Sequence, residues 1–393
     1  MLMLKLALKN LLGAGMRTWL NVFVTSLSFF AIIFMTGLYK GIIESAKRIR
    51  MDTEVAGGAY WHPQYDPKDP LAWDESHGPL PAPIARQVAA GESMPVLVIQ
   101  GAMYPAGRMS PVVIKGLPPE QRVVDLPSYT LQGHGGTALP VLLGGAMARS
   151  TQLREHDTFT LRWRDAHGTY DAREAEVVAI MQVENMLVDK GQIWVPLEHL
   201  RRMVDMPAEA TFAIVGQGVP LLAETGDWRA RDVNYLLKDY IAMAKSKESS
   251  ARILYFILLT MAGLGIFNSQ VLSIFRRRKE IGTLMALGMS RSRVVGLFTV
   301  EGGLHSVLAM ALGVAYGAPV LILIAVKGMP LPYNPADFGL VIGQRLFPVY
   351  GPGLILGTTL LVAALVTVVS YIPARKISAM KPTEALSGRG AQG

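Results

Sequence analysis

Residues 275–303 read FRRRKEIGTLMALGMSRSRVVGLFTVEGG. A basic run, Arg276, Arg277, Arg278 and Lys279, closes a long uncharged stretch. Beyond it Ile281, Leu284, Met285 and Leu287 fall at helical spacing and give a short helix one apolar face. Gly288 is placed to end that helix, and Ser290 to cap the next. Glu301 then falls early in a second apolar stretch. A short amphipathic helix between two apolar runs lies flat at a membrane surface. There it is either a passive interface helix or an insert for a groove on a soluble partner.

The stretches on either side of this segment have counterparts elsewhere in the chain. A span of about 20 apolar residues crosses the hydrocarbon core. Uncharged runs of that order occur at Thr18–Tyr39, Ile253–Phe275, Gly302–Val326 (with an apolar start near Val294) and Leu346–Ala374. The composition agrees. Of 393 residues, 51% are hydrophobic and 17% charged, against about 25% charged in soluble domains. The spacing predicts transmembrane helices at 18–40, 252–275, 294–326 and 346–374. The first is read as a retained anchor, because no small-residue cleavage site follows it.

Lysine and arginine set the orientation. They gather in the N-terminal helix 1–17, in 276–293 and in the tail 375–393, while the loop 327–345 holds only Lys327 and Arg345 with Asp337. Both termini and residues 276–293 are therefore expected in the cytoplasm, with 41–251 and 327–345 outside. The net charge of +8 lies largely in those clusters, which argues against nucleic acid as a partner and points to membrane lipids instead. The chain has no cysteine, which excludes a disulfide scaffold, a thiolate metal site and a cysteine nucleophile.

Residues 41–251 begin and end with amphipathic helical patterns, 41–51 and 235–250, expected as stalk helices. Between them lie strand-like runs at Pro95–Gln100, Pro111–Lys115, Thr158–Arg164, Glu176–Met181 and Gln192–Val195, with helical pieces at Gly145–Leu153 and Leu197–Val204. The fold class expected is a membrane protein of four transmembrane α-helices with an α+β extracytoplasmic domain inserted between helices 1 and 2. The segment AYWHPQYDPKDPLAWDESHGPLP, residues 59–81, reads as a proline-stiffened loop with aromatic anchors. Its Tyr60, Trp61, Tyr65 and Trp73 are candidate contacts for cargo or a partner. His62, Asp66, Asp69, Asp74, Glu75 and His77 match no known metal spacing, so no metal site is assigned. The sequence contains no GxSxG, HExxH or GxxxxGK[ST] motif. The expectation is a non-catalytic chain with no directly bound cofactor.

The 275–303 segment resembles the post-span signature of the FtsX-like (MacB/LolC/LolE-type) ABC transporter permeases, roughly RRREIGxLxALGASR with a later Glu. The matching positions are Arg276, Arg277, Arg278, Glu280, Ile281, Gly282, Leu284, Ala286, Leu287, Gly288, Ser290, Arg291 and Glu301, with Met289 replacing the usual small residue. The N-terminal LKLALKNLLGAGMRTWLNVF and the tail YIPARKISAMKPTEALSG, through Pro373, Ala374, Arg375, Pro382, Glu384, Ala385 and Leu386, are similar to the ends of these permeases. VVIKGLPPE and VLLGGAMARSTQLREHDTFTL resemble two of their external elements, with His156 in place of the usual Gly.

The resemblance implies a MacB-like permease fold in the bacterial inner membrane, with the large domain periplasmic. It implies a dimer, with itself or a sister subunit, on two copies of a cytoplasmic P-loop ATPase that carries ATP and Mg. In such permeases ATP-driven movement is passed on by mechanotransmission. The ATPase-coupling residues implied are Glu280, Ile281, Gly282, Leu284, Ala286, Leu287 and Gly288. Arg276, Arg277 and Arg278 form the membrane-interface cluster, and Glu301 is an intramembrane charge read either as an ion pair with that cluster or as a helix-end charge. Four spans and an unfused layout most resemble the lipoprotein-releasing LolC/LolE subunits, so extraction of an amphipathic substrate, lipoprotein first, is the leading expectation, with a lipoprotein carrier as partner. Tripartite efflux with a periplasmic adaptor is the second reading, and control of a cell-wall hydrolase a third. A membrane-anchored sensor or binding module without transport is the alternative from another class.

Overall fold

The computed structural model describes residues 16–133, 137–183, 185–332 and 345–378. The expected N-terminal helix up to residue 15, most of the loop 327–345 and the tail motif at Pro382–Leu386 lie outside the described residues. The chain divides into two compact units, one of Met1–Ile42, Ala244–Met329 and Phe347–Gly393, the other of Ile43–Met243 and Pro330–Leu346.

The first unit is helical. Its long helices are Met16–Arg50, Lys238–Arg276, Arg291–Lys327 and Pro352–Ser378. Each carries a stretch long and apolar enough to cross a membrane. The expected stalk pattern 235–250 and the second span are one helix from Lys238 onward, because no helix-breaking residue separates them. The first span likewise continues to Arg50, then passes into a π-helical turn, Met51–Val55. Phe29, Ile32 and Ile33 of the first helix pack with Leu259, Ile266, Leu354, Val362 and Val366. Gly313 and Gly317 of the third helix lie against the rings of Phe29 and Phe30, where a side chain would intrude. Large apolar residues also point outward, among them Phe23, Phe256, Met261, Leu264, Ile322, Leu356 and Leu360. So many large apolar side chains exposed on apolar helices suit lipid rather than water. Hydroxyls inside the helices turn back on their own backbone: Thr25 Oγ1 donates to Asn21 O at 2.8 Å, and Thr367 Oγ1 to Ala363 O at 2.7 Å.

The second unit is built on strands β1 (Gly58–Trp61), β2 (Gly78–Pro79), β3 (Ser93–Tyr104), β4 (Ser110–Leu117), β5 (Leu139–Gly144), β6 (Thr158–Arg164), β7 (Tyr170–Met181), β8 (Gln192–Pro196), β9 (Glu209–Ala210), β10 (Phe212–Val215) and β11 (Arg229–Asp232). The main sheet has the order β11-β1-β10-β3-β4-β8-β5-β7-β6, and β6 pairs back onto β3. Strands β3, β4, β8, β5, β7 and β6 therefore close a barrel. Pairs β4–β8 and β5–β7 are parallel, and the other barrel pairs antiparallel. The first half of β3 pairs with β10 and its end with β6. Gly101 lies where β6 joins, and a Cβ there would come within 2.6 Å of Ile114 and 2.9 Å of Arg162 O.

The barrel interior is filled by Leu97, Ile99, Met103, Ile114, Val141, Leu143, Phe159, Leu161, Trp163, Val177 and Ile193. These residues alternate with outward ones along each strand, as in TFTLRWR, where only Phe159, Leu161 and Trp163 are buried. Helices Gly145–Thr151 and Leu197–Met203 occupy the expected positions. Two expectations change. The segment 59–81 begins as strand β1, whose four residues are too few to show a period and are held between β10 and β11. Strand β7 starts at Tyr170 rather than Glu176, since its polar first half is recruited by pairing with β6.

Candidate functional site: the basic segment after the second span

The second long helix ends at Arg276, and Arg277, with φ −95° and ψ 14°, turns the chain into a short helix, Arg278–Ala286. Backbone bonds from Leu287 N to Thr283 O (3.0 Å) and Gly288 N to Met285 O (3.1 Å) close that helix. Gly288 has φ +95°, a conformation that a Cβ opposes. Ser290 is extended and precedes the third long helix, but its hydroxyl lies 3.2 Å from Ser292 Oγ and makes no capping bond. The expected side-chain cap is therefore not formed; Val294 N reaches Ser290 O instead.

One face of the short helix is anchored. Ile281 is buried with Ile274, Val294, Phe298 and Ala374, and Met285 and Met289 pack on the same cluster. Gly282 is also buried. Arg277 fixes the corner: its Nε donates to Glu280 at 3.0 Å, its Nη1 to Glu301 at 3.1 Å, and its guanidinium lies 5.4 Å from the centre of the Phe298 ring. Glu301 is buried, whereas Arg276 is exposed. The side chains of Arg278 and Leu284 lie outside the described residues.

The opposite face is open. Lys279, Glu280, Thr283, Ala286 and Gly288 are exposed, and Leu287 is 80% exposed. The expected coupling set thus divides in two: Ile281 and Gly282 hold the helix down, while Glu280, Ala286, Leu287 and Gly288 face outward. Met285 lies on the apolar face expected of it, whereas the anchoring role of Met289 was missed. Met289 follows Gly288, outside the helix, so its only signal was an apolar side chain where the family has a small residue.

The aromatic residues of the second unit are placed differently from one another. Tyr60 is fully buried, donates to Gln87 Oε1 at 3.0 Å and accepts from Leu222 N at 2.8 Å. It is a core residue and offers no surface to a partner, because β1 is an inner strand flanked by β10 and β11. Trp61, Tyr65 and Trp73 are half-buried and form a cluster. The Trp61 and Tyr65 rings are 5.3 Å apart, Tyr65 is 5.4 Å from Phe212, and Trp73 Nε1 donates to Asp66 O at 2.8 Å. Burial pushes the Tyr65 hydroxyl well above its ordinary range, assisted by Glu54 and Asp66.

Asp66 and Asp69 accept from the backbone N–H groups of Lys68 and Leu71, which uses them as turn formers. His77 pairs with Glu209 and approaches Asp74 O at 3.0 Å. Among the described residues no group of three or more His, Asp or Glu side chains is placed to hold a metal ion.

A family model described as FtsX-like permease C-terminal matches residues 252–382. The chain is 31% identical over 131 residues to the macrolide export ATP-binding/permease protein MacB of Hyphomonas neptunium, covering 33% of this chain and 18% of that protein. It is 29% identical over 170 residues to the MacB of Wolinella succinogenes, covering 42% and 24%. It is also 31% identical over 137 residues to an uncharacterized ABC transporter permease of Methanocaldococcus jannaschii, covering 34% and 31%. The matched stretches span less than a third of each of these relatives.

Proposed function

We propose that this chain, a member of the FtsX-like permease family through residues 252–382, is the non-catalytic membrane subunit of an ABC transporter. A separate P-loop ATPase, two copies per assembly, carries ATP and Mg. It docks on the exposed face of the short helix Arg278–Ala286. The observation that carries this reading is the two-sidedness of that helix: Leu287 stands 80% exposed at its end, while Ile281 on the other side is 2% exposed. An exposed leucine on a firmly anchored turn suits insertion into a groove on a soluble partner. The anchor makes the push of that partner a movement of the third helix rather than of a loose loop.

Mechanotransmission to the α+β domain is the mode of action that the family resemblance implies. The lysine and arginine distribution supports cytoplasmic termini and an extracytoplasmic α+β domain; the bacterial inner membrane and the periplasm are what the family resemblance implies. A second permease copy, identical or a sister chain, completes the assembly. The cargo is an amphipathic substrate, with lipoprotein the first candidate. The names of the MacB relatives favour the second reading, efflux with a periplasmic adaptor.

The test is purification of the tagged chain from detergent-solubilised membranes with mass spectrometry of what accompanies it. A P-loop ATPase is expected, and a lipoprotein, a carrier or an adaptor alongside it chooses between the two cargo readings. A sister permease in the same fraction makes the pair a heterodimer. Absence of any ATPase, under conditions that keep a known ABC complex whole, defeats the transporter reading in favour of a stand-alone sensor or binding module.

A further inference from the structure

In the second unit a concavity of about 440 Å³ is lined by Trp163 of β6, by Asp171, Ala172 and Arg173 of β7, and by His199, Arg202 and Met203. Its floor is apolar and fixed, since Trp163 is buried and its Nε1 donates to Met203 O at 3.0 Å. Its polar lining is cationic. Arg173 is held by two bonds to Thr137 O, from Nε at 3.0 Å and Nη2 at 2.6 Å. Arg202 is held by Nε to Glu198 O at 3.1 Å.

Both guanidiniums are thus tethered through carbonyl oxygens, which leave their charge uncompensated. Among the described residues neither meets a carboxylate at ion-pair distance. Between them His199 has a buried Nδ1 with no hydrogen-bond partner. Burial and the two arginines hold its imidazole below the usual histidine range. Asp171 is the one acid of the lining; its Oδ1 accepts from Ala172 N at 2.7 Å.

Two tethered guanidiniums that pair with no carboxylate among the described residues, and the imidazole of His199, line one concavity whose single acid is Asp171; this excess of positive charge suits an external anion. Planar guanidinium groups meet phosphate oxygens with paired, charge-assisted hydrogen bonds. A phosphate-type oxyanion also draws a proton onto the neighbouring imidazole, which then becomes a further donor. Trp163, Met203 and Ala172 supply the apolar part of the lining. We propose that this concavity binds a phosphate-type oxyanion, free or as a lipid headgroup, through Arg173, Arg202 and His199. The inference stands on the second unit alone and does not depend on the transporter reading.

The experiment uses the full chain, labelled with [13C]histidine and held in a maltoside detergent, which contributes no phosphate. The resonances of His199 among the seven histidines are assigned by their loss in His199→Gln. Inorganic phosphate is then titrated against sodium chloride of equal ionic strength. In a parallel arm phosphatidylglycerol is added to the micelles. A saturable shift of His199, with its pKa moved upward, is expected from phosphate, from phosphatidylglycerol, or from both. Response to the lipid alone assigns the headgroup as ligand; response to phosphate assigns the oxyanion itself.

Arg173→Gln and Arg202→Gln should each weaken binding by about tenfold or more. Asp171→Asn should tighten it severalfold, a change in the direction that misfolding does not produce. The proposal is overturned if neither probe gives a saturable shift, if chloride gives the same one, or if Asp171→Asn leaves binding unchanged.

Discussion

Arg277 and Glu301, 24 residues apart in sequence, are joined by a 3.1 Å hydrogen-bonded ion pair that ties the corner before the short helix to the third long helix. Glu301 has 6% of its side chain exposed and Arg277 24%, so water screens the pair weakly. Removing one member of a buried, hydrogen-bonded ion pair costs about 3–5 kcal/mol, whereas removing both costs far less. Arg277→Leu is therefore expected to lower the thermal midpoint of the detergent-solubilised protein sharply. The double variant Arg277→Leu/Glu301→Leu should recover most of the loss. A double variant no more stable than Arg277→Leu would mean that Arg277 acts through Phe298 or Glu280 instead.

Ile281 in the short helix and Leu287 at its C-terminal end should fail in opposite ways. Ile281→Ala empties a buried position and is expected to cost about 2–5 kcal/mol. Leu287→Asp changes an exposed position and should leave stability within about 0.5 kcal/mol. Under the coupling assignment, Leu287→Asp nevertheless abolishes stimulation of the partner ATPase and reduces its co-purification. Thermal melts and ATPase assays on both variants separate the two roles. Full ATPase stimulation by Leu287→Asp would remove this face from the docking surface.

How much of this was legible in the sequence depends on where each signal is stored. The four spans were readable because lipid requires long uncharged runs, and such runs are local in sequence. The short helix was readable from Ile281 and Met285 at helical spacing, with Gly288 ending it. The same spacing does not say which of its neighbours face outward, so Ile281 and Leu287 entered one set although the fold separates them. Strands β6 and β8 announced themselves by alternation or a compact apolar run. By contrast, β1, β10 and β11 have four residues each, and it is pairing with one another and with β3 that makes them strands. Tyr60 was misjudged for that reason: the prolines and acids that make its surroundings loop-like begin only at Pro63 and Asp66, and its burial comes from the strands on either side. The barrel closure between β3 and β6 and the gathering of Arg173, His199 and Arg202 are likewise long-range facts, invisible to any window along the chain.

Gly302 supplies a packing prediction inside the helical unit. A Cβ at this position would overlap the Cβ and Oγ of Ser370 on the fourth helix and come within 3.2 Å of Gln270 Nε2. The third and fourth helices approach closely because Gly302 has no side chain there. Gly302→Ala should force them apart at a cost of about 1–3 kcal/mol. Ser370→Gly removes the obstructing atoms, so the pair Gly302→Ala/Ser370→Gly is expected to regain stability over Gly302→Ala alone, measured by thermal unfolding in detergent. Additive losses in the pair would show that the two positions do not meet.

His62 gives the second unit a pH dependence whose sign follows from its surroundings. Its imidazole stands edge-on to Trp228, with ring centres 5.8 Å apart, and Gly78 packs against its Nε2 side. Burial, and then the neighbouring His77, hold its pKa below the ordinary 6.5, while Glu209 pulls the other way. The folded state therefore favours the neutral ring more than the unfolded chain does. That stability is fully present above 6.5 and is lost as pH falls through the lowered folded value, because the unfolded chain takes up the proton first. Thermal midpoints at about pH 8 and about pH 5.5 should differ in the wild type, with the acidic sample less stable. In His62→Gln the difference should shrink, since the substituted side chain does not titrate. If the acid sensitivity is the same in both proteins, protonation at His62 is not its source, and the carboxylate that His77 faces at Glu209 becomes the group to vary next.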